Sequence, residues 1–181
     1  KFYQSLYAYD RTPLEEKVEA VNETDPNWRM ETITFNAAYG NERVTAYLFV
    51  PLKAKPPYQT VVHFPGGYAL FMDKVDSVGL HGIRHFIQSG RAVLYPIYKG
   101  TYQRKPKSQP RTSLAWRDQV VQICKDLNRS MDYLETRNDI DRSKIAYHGI
   151  SFGSVTALPC LAVEPRLKTP ILHGGGLSRG A

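Results

Sequence analysis

Two periodicities alternate along the chain. Residues 30–36 and 43–50 alternate polar and apolar side chains on either side of the turn-like Ala38-Tyr39-Gly40-Asn41, which predicts two antiparallel strands joined as a hairpin. Thr60-Val61-Val62-His63-Phe64, Ala92-Val93-Leu94-Tyr95-Pro96-Ile97, 144–149 and Pro170-Ile171-Leu172-His173 are short apolar runs bounded by turn residues, as expected of strands buried on both faces. Between them, residues 77–88 carry helical spacing at Val78, Ile83, Phe86 and Ile87, closed by Gly90. Residues 114–136 form a longer amphipathic pattern with a stripe of Val120, Ile123, Cys124, Leu127, Met131 and Leu134. A further helix is predicted over 151–162 despite Pro159, and a short one over 14–21.

Helices alternating with buried strands predict an α/β fold with a mostly parallel central sheet, helices on both faces and an N-terminal antiparallel hairpin. Residues 1–28, broken by Pro13 and Pro26, read as a lead-in, and 29–181 as the N-terminal portion of one domain. Leu177-Ser178-Arg179-Gly180-Ala181 supplies no closing element and position 1 is Lys rather than Met. The expectation is an excerpt whose fold is completed by a missing segment or a second chain, with homo-oligomer formation as another way to cover an open sheet edge.

Composition narrows the function classes. With 42% apolar and 23% charged residues over 181 positions, the chain can fill one buried core. No run approaches the roughly 18 apolar residues of a membrane span, and the start lacks the pattern of a targeting signal. Localisation stays open, and no membrane partner is expected. The net charge of +7 raises nucleic-acid binding as an option, yet the basic residues cluster only at Lys99, Arg104, Lys105, Lys107 and Arg111, which read as a solvated loop. No recognition motif accompanies them, and aromatic residues do not interleave with them. Cys124 and Cys160 fall in predicted helices outside any C-x-x-C spacing, and read as buried small hydrophobes in a reduced or redox-indifferent setting.

The chemistry concentrates at Gly149-Ile150-Ser151-Phe152-Gly153. This is a G-x-S-x-G pattern between a predicted strand and a predicted helix, the setting in which a strained turn exposes a nucleophilic serine. Phe152 N–H, at the helix start, would be one oxyanion donor. A serine N-cap without catalysis fits the same residues. The second element is His63-Phe64-Pro65-Gly66-Gly67-Tyr68, whose glycines let a backbone amide, from Gly67 or Tyr68, approach a substrate oxygen; a plain strand-ending turn is the alternative. The two patterns in this order predict a serine hydrolase. Phe71, Tyr98 and Tyr102, on strand-exit loops, are candidates for lining an aromatic or acyl pocket, with loop packing as the other reading.

Trp28, the run from Phe35 to Gly40, Pro57 to Val62, Gly90 to Pro96, Asp132 to Arg137 and the Ser151 pentapeptide together resemble the acetyl-xylan-esterase and dipeptidyl-peptidase-like α/β-hydrolases. More narrowly, they resemble the hydrolase domain at the C-terminus of some multidomain bacterial serine/threonine kinases. The resemblance runs from about residue 7 onward. It implies the α/β-hydrolase fold and a serine esterase or peptidase mechanism, with Ser151 as nucleophile and Phe152 and the Gly67-Tyr68 region as oxyanion donors. The expected substrate is a small-molecule carboxylic ester, and serine acyl transfer needs no cofactor.

The departure is at the triad. The family's acid and histidine follow the serine on later strand ends, whereas after Ser151 this sequence offers only Glu164 and His173. Neither sits where the family places them, so both partners are expected outside this chain. His63 and His148 read as core residues. His81 and His85, four apart, have metal-compatible spacing but lack a third ligand, so no metal is expected. Two rivals stay open: a peptidase or acyl-peptide hydrolase of the same fold, and a catalytically silent binding module.

Overall fold

The structure is a computed structural model, and its described residues are 2–75, 77–107 and 112–175. After a single helical turn, α1 (Phe2–Ser5), seven strands form one sheet: β1 (Lys17–Asn22), β2 (Trp28–Asn36), β3 (Arg43–Pro51), β4 (Tyr58–Phe64), β5 (Ala92–Pro96), β6 (Ile140–Ile150) and β7 (Thr169–His173). Their order is β1-β2-β3-β5-β4-β6-β7. The hairpin expected around residues 38–41 is present as β2 and β3, paired from Trp28↔Pro51 to Asn36↔Arg43.

The sheet is mixed rather than mostly parallel. β1, β2, β3 and β5 pair antiparallel, while β5, β4, β6 and β7 pair parallel. The difference comes from β1, which replaces the helix expected over 14–21. An eight-residue helix is marginal on its own, whereas the free edge of β2 offers a ladder to the β-branched Val18 and Val21. All six residues of β1 are exposed.

Side-chain alternation along buried strands divides the core in two. Val62, Phe64, Ala92 and Leu94 point to the face covered by α4 (Ser113–Thr136) and α5 (Phe152–Val163), where they meet Ile123, Leu127 and Met131. Val61, Val93 and Tyr95 point to the opposite face, against Ile83 and Ile87. That face carries α2 (Ser77–His81) and α3 (Arg84–Gln88), which sequence periodicity presents as one helix. The break falls at Gly82, where an added Cβ would lie 2.9 Å from Ile150 Cδ1.

Cys124 on α4 and Cys160 on α5 form a disulfide, with Cα atoms 4.9 Å apart. This corrects the reading of two separate small hydrophobes, although both are buried as expected. The residues are 36 apart in sequence, and only the packing of α4 against α5 on one face of the sheet brings them together. At the other side of the sheet β7 pairs with β6 and all five of its residues are exposed.

Candidate active site

Ser151 stands between β6 and α5 with φ 49° and ψ −104°. A non-glycine residue with positive φ costs about 1–3 kcal/mol and persists only where its surroundings over-determine it. Here Ser151 N–H donates to the His173 carbonyl at 2.7 Å, and the Ser151 carbonyl accepts the amides of Ser154 and Val155 at 2.9 and 3.0 Å. Strand β7 therefore holds the corner from one side and the first turn of α5 from the other. Ser151 itself is exposed.

The flanking glycines answer to close packing. A Cβ on Gly149 would lie 2.7 Å from the Gly153 carbonyl, and one on Gly153 would lie 2.6 Å from the Phe64 carbonyl oxygen. Both approaches are to backbone, which cannot swing aside. The corner is pinned further by Tyr147, whose hydroxyl donates to the Gly153 carbonyl at 2.8 Å, and by Ser154, whose hydroxyl donates to the Gly149 carbonyl at 2.7 Å. Phe152 is the first residue of α5, so its N–H has no acceptor within the helix and lies at the positive end of the helix dipole.

The glycine loop is tied to this corner, since Gly153 N–H donates to the Pro65 carbonyl at 3.2 Å. A 3-10 turn over Gly67–Leu70 follows. Space above Gly67 is open: a Cβ there would meet nothing within 4 Å. Gly66 differs, because a Cβ would press on the Tyr68 ring at 3.1 Å. The Tyr68 side chain thus turns inward beneath the loop, and its hydroxyl hydrogen-bonds that of Tyr95.

The three aromatic pocket candidates separate. Phe71 is 78% exposed, whereas Tyr98 and Tyr102 are fully buried. Tyr98 stacks on Phe64 with ring centroids 4.1 Å apart, and the Tyr102 hydroxyl lies 2.7 Å from that of Tyr95. These two tyrosines are foundation rather than lining. The basic loop is likewise no simple solvated segment. The Arg104 guanidinium is buried against Asp126 at 2.6 Å and also donates to the Tyr39 hydroxyl at 2.8 Å. Lys99 pairs with Glu42, and Lys105 donates to the Phe71 carbonyl at 3.1 Å and pairs with Asp73, fastening the β5 exit to the glycine loop. Arg111 lies outside the described residues.

Among the described residues no histidine or carboxylate hydrogen-bonds the Ser151 hydroxyl. Glu164 is buried and clasped by Arg166, which also reaches Asp132 at 2.7 Å. His173 contributes its carbonyl to the corner. His63 and His148 form a buried pair with Nδ1 atoms 3.0 Å apart, and the His63 ring meets the Tyr95 ring edge-on at 4.7 Å. Burial, followed by the neighbouring His85 and His173, lowers the His148 pKa to about 4. Burial and then His148 drive that of His63 well below the usual range. His81, His85, His148 and His173 line one concavity with Phe86 and Ile150. Among the described residues no group of three or more His, Cys, Asp or Glu side chains is arranged to hold a metal ion.

Trp116 is a site neighbour that sequence reading missed. It lies in the first turn of α4, 39% exposed, with its ring 5.9 Å from that of Phe152. The only sequence signal is a large aromatic in a helix start that follows a strand-exit loop.

No family model matches the chain, and neither does any curated protein. Solved structures do. An acetyl xylan esterase from Paenibacillus sp. R4 superimposes with a TM-score of 0.67 at 20% identity, over 94% of this chain and 57% of that one. A putative acetyl xylan esterase from Bacteroides fragilis gives a TM-score of 0.75 at 11% identity, over 93% and 50%. A glucuronoyl esterase from Solibacter usitatus gives 0.62 at 15% identity, over 92% and 55%. The chain spans 50–57% of the length of these three structures. The mixed seven-stranded sheet and these likenesses define an α/β-hydrolase-like fold.

Proposed function

We propose that the protein is a serine hydrolase acting on carboxylic esters of small acyl or aryl groups. The Ser151 hydroxyl attacks the ester carbonyl to form a tetrahedral oxyanion. The alkoxide leaves with a proton, and water then cleaves the acyl-enzyme to acid and free Ser151. Phe152 N–H and an amide of the Gly67-Tyr68 segment are the oxyanion donors. The observation that carries the reading is the positive φ of Ser151 between glycines packed against backbone, because an N-capping serine requires no such corner. The esterase neighbours favour esters over amides as the substrate class.

In this reading the general base and its carboxylate come from outside the described residues, on a further segment or a second chain packed along the exposed β7. Removing the base from such a unit costs several powers of ten, so turnover depends on its presence. The relation to kinase-linked hydrolase domains rests on sequence resemblance alone. Serine acyl transfer calls for no cofactor.

The test, made with the segment or chain that carries the base present, is intact mass after reaction with a fluorophosphonate, alongside a p-nitrophenyl ester series and the Ser151→Ala variant. Stoichiometric labelling and ester turnover, both lost in the variant, are the expected result. A folded protein that neither labels nor turns over esters is a binding module instead.

A further inference from the structure

An aromatic ladder climbs from the core to the surface beside Ser151. Tyr98 is fully buried and stacks on Phe64 at 4.1 Å with 9° between ring planes. Phe64 meets the Phe152 ring edge-on at 5.7 Å and 74°. Phe152 meets Trp116 at 5.9 Å and 51°. The ladder therefore ends on an indole that is 39% exposed, one ring away from the residue that follows Ser151.

Trp116 is held there by local structure. Thr112 caps α4, its hydroxyl accepting Ala115 N–H at 3.2 Å and its carbonyl accepting Trp116 N–H at 3.0 Å. A capped first turn and a packed aromatic beneath it fix an indole at little further cost in side-chain entropy. The chain's other tryptophan, Trp28, is 5% exposed beneath the Arg84 guanidinium, 5.2 Å from its ring. Beside Trp116, Leu114 is 64% exposed. A packed indole that keeps 39% exposure at the carboxyl edge of an α/β sheet, where such folds bind ligands, offers an aromatic surface to another ring.

We propose that Trp116, braced by Phe152, is a stacking platform for a six-membered ring, aryl or pyranose, carried by the ester. The identity of the ring's bearer rests on the Ser151 reading, but stacking itself does not, so the two are tested apart. With Trp28 buried, iodide quenching of tryptophan fluorescence reports on Trp116. Acetanilide and methyl β-glucopyranoside supply the two ring types, and N-butylacetamide supplies the same amide without a ring. The platform predicts that at least one ring probe shields the fluorescence from iodide while N-butylacetamide does not, and which one shields distinguishes aryl from sugar. Trp116→Leu should remove the quenchable component without changing the melting temperature. Where esters turn over and acetanilide is the probe that shields, it should raise KM for phenyl acetate about 3- to 10-fold relative to butyl acetate and leave kcat nearly unchanged. Fluorescence that iodide does not quench, or shielding no better with rings than with the alkyl amide, overturns the platform. Absence of fluorophosphonate labelling with the base-bearing segment or chain present overturns the Ser151 reading and leaves the quenching result standing.

Discussion

Arg104 Nη1 donates to Asp126 Oδ2 at 2.6 Å, across an interface where the carboxylate is fully buried. The same guanidinium donates to the Ile97 carbonyl at 2.8 Å, and Asp126 also accepts the Lys99 amide and the Tyr39 hydroxyl, each at 2.8 Å. Burial raises the Asp126 carboxyl above the ordinary range, with Arg104 acting against it. For Arg104, the pull of Asp126 and Tyr39 outweighs the opposing effect of burial and keeps the guanidinium charged. One ion pair thus fixes the β5 exit loop to α4. Removing one partner strands a buried charge, which costs about 3–5 kcal/mol. Arg104→Met should lower stability by that amount in urea titration. Arg104→Lys should recover only part of it, since an ammonium cannot reproduce the fork.

The His63–His148 pair gives stability a pH dependence of defined sign. Folding lowers both pKa values, that of His148 to about 4, while an unfolded histidine titrates near 6.5. Between roughly pH 6.5 and 4 the unfolded chain binds protons that the folded chain refuses, so stability falls as pH falls through that window. The slope is at most about 1.4 kcal/mol per pH unit for each histidine. Urea midpoints measured from pH 7.5 to 4.5 should show this decline. Replacing both residues, His63→Leu with His148→Phe, should flatten it, and an unchanged slope would assign the dependence to other groups.

The Cys124–Cys160 disulfide ties α4 to α5 behind the Ser151 corner. Closing a loop of 36 residues stabilises by about 3–4 kcal/mol through the unfolded state. Reduction should therefore lower the melting temperature, and a Cys124→Ala, Cys160→Ala pair should match the reduced protein. In denaturant, iodoacetamide should label neither cysteine until a reductant is added; labelling of the denatured, unreduced protein would show the bond to be absent.

Much of this architecture is legible in residue pattern because buried strands and their turns are locally specified. Val61-Val62 and Val93-Leu94 announce strands buried on both faces, and the Ser151 pentapeptide announces its corner through glycines that the packing demands. What escapes the sequence depends on distant partners. β1 takes strand form from the edge of β2. Cys124 and Cys160 meet only through helix packing. Arg104 reads as a surface cation until Asp126, 22 residues away, is folded beneath it. Tyr98 and Trp116 both follow strand exits, yet one is foundation and the other surface, a distinction set by which rings occupy the space between them.

Three glycines around Ser151 separate structural need from chemical need. Gly149 and Gly153 each face backbone atoms within 2.7 Å of an added Cβ, whereas Gly67 faces open space. Gly153→Ala should therefore destabilise the fold, by about 1–3 kcal/mol or more, because overpacking against the Phe64 carbonyl forces a backbone shift. Gly67→Ala should leave the melting temperature within about 1 °C, a surface-scale change. Its methyl would nevertheless occupy the open space above the loop, which in the proposed mechanism is where a substrate oxygen would meet the Gly67-Tyr68 amides. If those amides serve as oxyanion donors, Gly67→Ala should slow fluorophosphonate labelling and ester turnover by about tenfold or more, since losing one donor costs 10²–10³ in kcat. Equal melting temperature with reduced labelling assigns the loop a chemical role. Equal melting temperature with unchanged labelling makes the Pro65-Gly66-Gly67 segment a turn and moves the second donor elsewhere.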